Sequence, residues 1–213
     1  MQKEKQKKVI IIGASGHGRV IADIIKSSGD KLIGFLDDDL SIQGNIIYDD
    51  KLVLGTITEE NIKKYKDYYF IIGIGSNKVR KLISSKYSKL KWYTGIHPNA
   101  VIGSNVTIGV GTVIMAGTVI NTGTIIGKHC ILNTCSSLDH DNIIEDFVHV
   151  SPGAHLAGTV KIGSLTWIGA GGIVINNISI GKNNIIGAGS VVIRNIYDND
   201  STFIGVPAKK IEK

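Results

Sequence analysis

From Ala100 to Asn195 the chain repeats every six residues without a break. Successive hexads read AVIGSN, VTIGVG, TVIMAG and TVINTG, and the series runs on to NIIGAG and SVVIRN. The third position of all 16 hexads is Ile, Leu or Val, from Ile102 through Leu138 to Val192. The first position is mostly small or β-branched, and the fourth is often Gly, as at Gly103, Gly109, Gly163 and Gly187. A helix calls for apolar residues every three or four positions, and a half-buried strand for strict alternation over a short run. Neither gives one buried aliphatic every six residues for 96 residues. A parallel β-helix does: each hexad is a short flat strand plus a turn that sends one large side chain into a prism. Three hexads close one coil, so the block supplies five coils and a fraction, roughly 25 Å of prism at the usual strand spacing.

The rest of the chain reads differently. Lys7–Ile12 is a buried-strand pattern closed by the glycine loop Gly13-Ala-Ser-Gly-His-Gly18, and Arg19–Ser28 reads as an amphipathic helix. A second strand, Lys31–Leu36, stops at Asp37-Asp38-Asp39. Strand, glycine loop, helix, strand and then acids about 20 residues on is the outline of a nucleotide-binding βαβ unit. The glycine order is G-x-x-G-x-G, not the dinucleotide G-x-G-x-x-G, which speaks against a dehydrogenase. Leu52–Leu54 reads as a short strand, Glu59–Lys66 as a helix, Tyr69–Ile74 as a buried strand and Asn77–Lys86 as a helix. A second glycine loop, Gly73-Ile-Gly-Ser-Asn77, sits at the carboxyl end of its strand, where ligands bind in parallel sheets. The expected division is a basic tail over 1–8, a Rossmann-like α/β domain over 9–91 and an all-β domain of hexapeptide repeats with a C-terminal tail over 92–213.

Composition agrees with a core of aliphatic layers: 43% of the 213 residues are hydrophobic and only 6% aromatic. The net charge of +6 gathers at the two ends, and no basic run is interleaved with aromatics. A nucleic-acid partner is therefore not expected, whereas phosphorylated anionic ligands are. Cys130 and Cys135 fall inside the repeat and read as packed thiols. The start MQKEKQKK has no signal-peptide core, and no segment is long and apolar enough to insert in a membrane. The expectation is a cytoplasmic protein.

Most exposed hexad positions carry Gly, Ser, Thr or Asn. Between Asp139 and His155 that habit breaks: Asp139, His140, Asp141, Glu145, Asp146, His149 and His155 crowd into less than one coil. Such a cluster is more than the stability of a solenoid requires. His140 holds the fifth position of its hexad, so Thr122 and Gly158 are its neighbours one coil away, and glycine at 158 leaves open space above the ring. Asp139 or Asp141 is placed to hold one ring nitrogen and make the other the stronger base. Such an imidazole can take the proton of an amine or hydroxyl attacking a thioester, worth roughly 10²–10⁴-fold. A bare backbone at Gly158 also suits a donor aimed at an oxyanion. A metal site is the competing use. His149 and His155 are six apart, on successive faces of one coil, and neither cysteine offers a C-x-x-C pair, so no metal is expected.

Gly13-Ala-Ser-Gly-His-Gly18, Leu36-Asp-Asp38, Gly75-Ser-Asn-Lys-Val-Arg80, Leu132-Asn-Thr134, His140-Asp141, Phe147-Val-His149 and Gly205-Val-Pro-Ala-Lys209 occur in that order. Together they resemble the bacterial sugar O- and N-acetyltransferases typified by the sialic acid O-acetyltransferases. The resemblance is strongest to enzymes that N-acetylate UDP-4-amino-4,6-dideoxy sugars in bacillosamine-type pathways. It implies a left-handed β-helix, a homotrimer, acetyl-CoA as co-substrate and direct transfer. By the same resemblance Ser15, Gly16 and His17 line the phosphate and sugar, Asp37 and Asp38 the nucleoside, and Gly75 closes that pocket. His140 is the base and Asp141 its orienting acid, where relatives often have Glu. Asn133 lines the site, while His149, Gly158 and Ala170 lie along the acetyl-CoA, whose phosphates the C-terminal basic turn meets. O-acetylation of sialic acid or another sugar is the alternative within the class, and a non-catalytic nucleotide-sugar scaffold the alternative outside it.

Overall fold

The computed structural model describes residues 6–212, so the first five residues of the basic tail and Lys213 lie outside the described residues. The described residues form two compact units, one ending at Pro98 and the other starting at Asn99.

The first unit is built on a parallel sheet in the order β2-β1-β5-β6, where β1 is Lys8–Ile12, β2 Lys31–Leu36, β5 Tyr69–Ile72 and β6 Lys91–Trp92. A small antiparallel pair, β3 (Ile46–Tyr48) and β4 (Lys51–Leu52), lies between β2 and β5 in sequence. Helices cover both faces. Alternate residues Ile10, Ile12, Phe70 and Ile72 pack with Ile62 of α2 (Glu59–Lys64) and Ile83 of α3 (Asn77–Lys86). Ile11 and Ile71 point the other way, against Gly18 and the region of Ile24 in α1 (Gly16–Ser27). The continuous run KVIII is thus the signature of a strand buried on both sides. The unit extends to Pro98, beyond the expected division at Lys91, because Lys91 and Trp92 pair in parallel with Tyr69 and Phe70 and so belong to the sheet. A short strand, β7 (Gly95–Ile96), follows β6 in sequence and is not part of this sheet.

Helix α1 starts at Gly16, not at Arg19 as the sequence suggests. Gly16, His17 and Gly18 form its first turn, and the connecting loop shrinks to Gly13-Ala-Ser15. Gly13 has φ +106°, open to glycine and strained for other residues, and a Cβ on Gly18 would overlap the Gly13 carbonyl.

In the second unit every hexad becomes a two-residue strand at its second and third positions, from Val101–Ile102 to Val191–Val192. Up to Ile173–Val174, each pairs in parallel with the strand three hexads on, as Ser137↔His155 and Leu138↔Leu156 show. Three sheets result, and with them a left-handed parallel β-helix. For reference, the A face carries Ser137 and His155, the B face Ile143 and Lys161, and the C face Ile131, His149 and Trp167. The third-position aliphatics from Ile114 to Val192 are buried. The sixth residue of each hexad from Asn105 to Gly189 has positive φ, which glycine, Asn and Asp tolerate best. His129, Cys135, Phe147, Thr159 and Leu165 accept it too, held by the ladders on either side.

First positions do more than fill space. Thr112 Oγ1 donates to the Gly127 carbonyl and accepts from Cys130 N–H, Thr166 repeats this with Gly181 and Asn184, and Asn142 Oδ1 accepts from Val160 N–H. These buried polar groups tie coil to coil, so each is satisfied at the point where it is desolvated. The described residues contain no disulfide: Cys130 is buried with its thiol against the Glu145 carbonyl, and Cys135 is exposed.

Candidate active site

The second unit brings His140, Asp141 and Gly158 together at one edge of the prism. His140 and Asp141 occupy the turn between an A-face and a B-face strand. Asp141 sits at φ +56°, and that left-handed turn swings its carboxylate back beside its neighbour. Nδ1 of His140 lies 2.8 Å from Oδ2 of Asp141. Asp139 does not hold the ring: its Oδ1 accepts from the His140 backbone N–H at 2.9 Å and from Asn121 Nδ2 at 2.8 Å. The Asp141 hydrogen bond, helped by the charges of Asp139 and Asp141, raises the His140 pKa above its ordinary value against a smaller loss of hydration. The space expected above the ring is occupied by the ring. A Cβ on Gly158 would meet Nε2 at 2.5 Å, so glycine at 158 is a slot into which the imidazole tip fits. Nε2 is the nitrogen left to take a proton.

His149 and Asn133 sit elsewhere, on the C face. His149 is 8% exposed, its ring stacked on Trp167 at 5.5 Å between centroids and 3° between planes. Its Nε2 is 3.2 Å from Asn133 Nδ2, and Trp167 Nε1 donates to Ser151 Oγ at 2.6 Å. Ala170 lies at the turn that follows the C face, and its carbonyl accepts from Gly189 N–H. One copy of the chain therefore places His140 and Gly158 on one edge, His149 on the face across the prism, and Ala170 on a second edge.

Several acids of the cluster prove to be ties between coils. Asp146 Oδ1 accepts from Lys128 N–H, and Glu145 Oε2 accepts from both the amide and hydroxyl of Ser164. They do serve stability, contrary to the expectation for this stretch. His155 Nδ1 pairs with Ser137 Oγ at 2.8 Å on the A face, away from His149. Among the described residues no group of three or more His, Cys, Asp or Glu is arranged to hold a metal ion. The partners that sequence reading missed, Trp167 under His149 and Phe147 under His129, were visible as pairs one coil apart.

In the first unit the loops after β1 and β5 meet where the strand order reverses. Gly13 packs on Gly73 and Ile74, and Gly73 on Gly18. Ser15 is the N-cap of α1 and is exposed, with Gly16 next to it. The Nε2 tip of His17 is buried and has no hydrogen-bond partner among the described residues, and burial, reinforced by the charge of Arg80, pushes its pKa down to about 4. Arg80, 1% exposed, reaches the carbonyls of Ile74 and Gly75 and the Asn77 side chain, and so shapes the second loop. Gly75 has open space where a side chain would stand. The acids after β2 are engaged with backbone: Asp37 accepts from Ala14 N–H at 2.7 Å and from Asp39 N–H, and Asp38 from Ile57 N–H. Asp37 thereby fastens the glycine loop.

Residues 8–87 match the PglD N-terminal domain family. The whole chain is similar to a crystal structure of a His-to-Asn mutant of perosamine N-acetyltransferase from Caulobacter crescentus in complex with CoA and GDP-perosamine. The identity is 30%, coverage is 97% of each chain and the TM-score is 0.90. The acetyltransferase domain of PglB from Neisseria gonorrhoeae FA1090 in complex with acetyl coenzyme A is 33% identical. There 97% of this chain and 100% of that chain are covered, with a TM-score of 0.89. WeeI from Acinetobacter baumannii AYE is 27% identical over 97% of this chain and 100% of that one, TM-score 0.87. An uncharacterized protein of Acanthamoeba polyphaga mimivirus is 34% identical over 101 residues, 45% of this chain, and the match spans a fifth (20%) of that protein's length. The chain belongs to the bacterial sugar O- and N-acetyltransferases built on a left-handed β-helix.

Proposed function

We propose that this protein moves an acetyl group from acetyl-CoA to the amino group of a nucleotide-linked amino sugar, with His140 as general base. The observation that carries the reading is the His140–Asp141 contact at 2.8 Å, which commits Nδ1 and leaves Nε2 as the proton acceptor at the Gly158 slot. The sugar amine attacks the thioester carbonyl while its proton passes to Nε2. The tetrahedral oxyanion collapses, the C–S bond breaks, and the CoA thiolate recovers the proton from the imidazolium. Asp141 stabilises that cation without itself taking the proton. No residue is acylated on this route, and Cys135 is not used.

Nucleotide binding falls to the first unit. The start of α1 carries no acid in its first turn, which suits a phosphate on its free amide groups, with Ser15, Gly16 and the buried tip of His17 beside it. Asp37, Asp38 and Gly75 border the same crevice at the carboxyl edge of the sheet. On the second unit, Asn133, His149 and Ala170 line one wall for acetyl-CoA, and Gly158 belongs to the facing wall with His140. His140 and His149 lie on opposite sides of one prism, so the complete site takes an edge from one copy and a face from the next. We therefore read the working form as a homotrimer, active in the cytoplasm.

The test is thiol release from acetyl-CoA with a panel of sugars. Turnover with a UDP- or GDP-linked amino sugar, and none with sialic acid or a non-amino nucleotide sugar, is the expected result. Turnover with sialic acid alone would replace this reading with O-acetylation. Binding of nucleotide sugar with no thiol release from any acceptor would make the protein a scaffold.

A further inference from the structure

We propose that Asp139 and Asn121 are positioning residues for His140, holding its main chain so that the imidazole enters the Gly158 slot; this rests on reading His140 as the base. His140 stands on an exposed turn, and the hydrogen bond to Asp141 alone leaves the pair able to swing together, since the two are adjacent in sequence. What fixes the turn is residue 139. Its carboxylate accepts from the His140 N–H at 2.9 Å, and Asn121, one coil before, donates to the same oxygen at 2.8 Å. Its carbonyl accepts from Asn142 Nδ2 at 2.5 Å and from Thr124 Oγ1 at 3.1 Å, and Asn142 is itself buried and bound to Val160 N–H. Both ends of the 139–142 turn are thereby tied to coils before and after. The ring is set by three consecutive coils: Asn121 from the first, Asp139 and Asp141 from the second, Gly158 from the third.

Asp139 also contributes charge. Hydrogen bonds from Asn121 and the His140 amide hold its carboxyl below the usual range, so it is anionic wherever the enzyme works. Of the groups facing the ring within this unit, Asp139 and Asp141 are charged, and Thr122 and Gly158 on the flanking coils are not. Removing either charge lowers the His140 pKa.

The experiment uses the full chain in four forms: wild type, Asp139→Ala, Asp139→Asn and Asn121→Ala. Asn at 139 keeps an acceptor for both donors and loses the charge. Asp139→Ala is expected to lower kcat about 10-fold or more with KM for both substrates within about 2-fold. Asp139→Asn should recover ~5-fold or more of that loss, with the acid limb of kcat at lower pH. Asn121→Ala should fall between them. In parallel, ¹⁵N NMR of the His140 ring follows its tautomer and titration without any substrate. Asp139→Ala should mix the tautomers, and both Asp139 variants should lower the midpoint. An Asp139→Ala protein with the wild-type ring spectrum and kcat overturns the proposal. A fully active His140→Ala protein would instead remove the general-base reading, and the NMR result would still decide whether Asp139 anchors the ring.

Discussion

Gly158 and His140, one coil apart in sequence, are close enough that a single methyl group at 158 would stand 2.5 Å from Nε2. The obstacle would be the free end of an exposed side chain, which can turn away without disturbing the ladder. Gly158→Ala is therefore expected to lower kcat by ~10-fold or more while the unfolding midpoint moves by no more than a few degrees. Steady-state thiol release and circular dichroism check both halves.

For His140→Ala the expected loss in kcat is ~10² or more, with KM for acetyl-CoA near its original value. Asp141→Asn should cost less. The pH dependence has a definite sign. Asp141 raises the His140 pKa, so the neutral imidazole, the proposed base, is lost as pH falls through a value above the ordinary 6.5. Replacing Asp141 by Asn should slide that acid limb to lower pH, and a limb that stays put would separate it from His140.

His17 behaves oppositely. Its folded pKa near 4 lies well below the unfolded value of 6.5. Between those values the unfolded chain binds a proton that the folded one does not, so stability should decline as pH falls from about 6.5 toward 4. The effect is on the order of 1–3 kcal/mol. His17→Asn should flatten the profile of the first unit's thermal transition between pH 7 and 5.

Within one strand of the solenoid, neighbours should respond in opposite ways. Ile162 is 1% exposed and fills the prism, whereas Lys161 beside it faces outward. Ile162→Ala should cost about 2–5 kcal/mol, and Lys161→Ala about 0.5 or less. Chemical denaturation of the two variants decides it.

The solenoid was legible because its constraint is local and repeated: an aliphatic at every third hexad position from Ile102 to Val192 gives period, strand position and buried face together. The β1–α1–β2 outline was legible in the same way, down to the limits of Lys31–Leu36. The start of α1 was not, because Gly16-His17-Gly18 has the composition of a loop and only the backbone shows that it begins a helix. Nor did sequence separate acids that tie coils, such as Asp146, from the acid that touches the imidazole. Asp139 and Asp141 flank His140 alike, and only the left-handed backbone at 141 selects one. The stacking of His149 on Trp167 was hidden by reading along the chain instead of across it.

The coil spacing has a consequence for how such a chain can change over time. Asn121 meets Asp139, and His140 meets Gly158, because three hexads bring the path back to the same edge. Losing or gaining one residue between 121 and 158 would put outward-facing residues at the inward positions of the hexads downstream and dismantle the site with no substitution at all. Adding or removing a whole coil beyond Asn176 would leave these neighbours where they are. Length variation in this half of the protein should therefore come in whole coils, confined to the ends of the prism, while the first unit's loops vary one residue at a time.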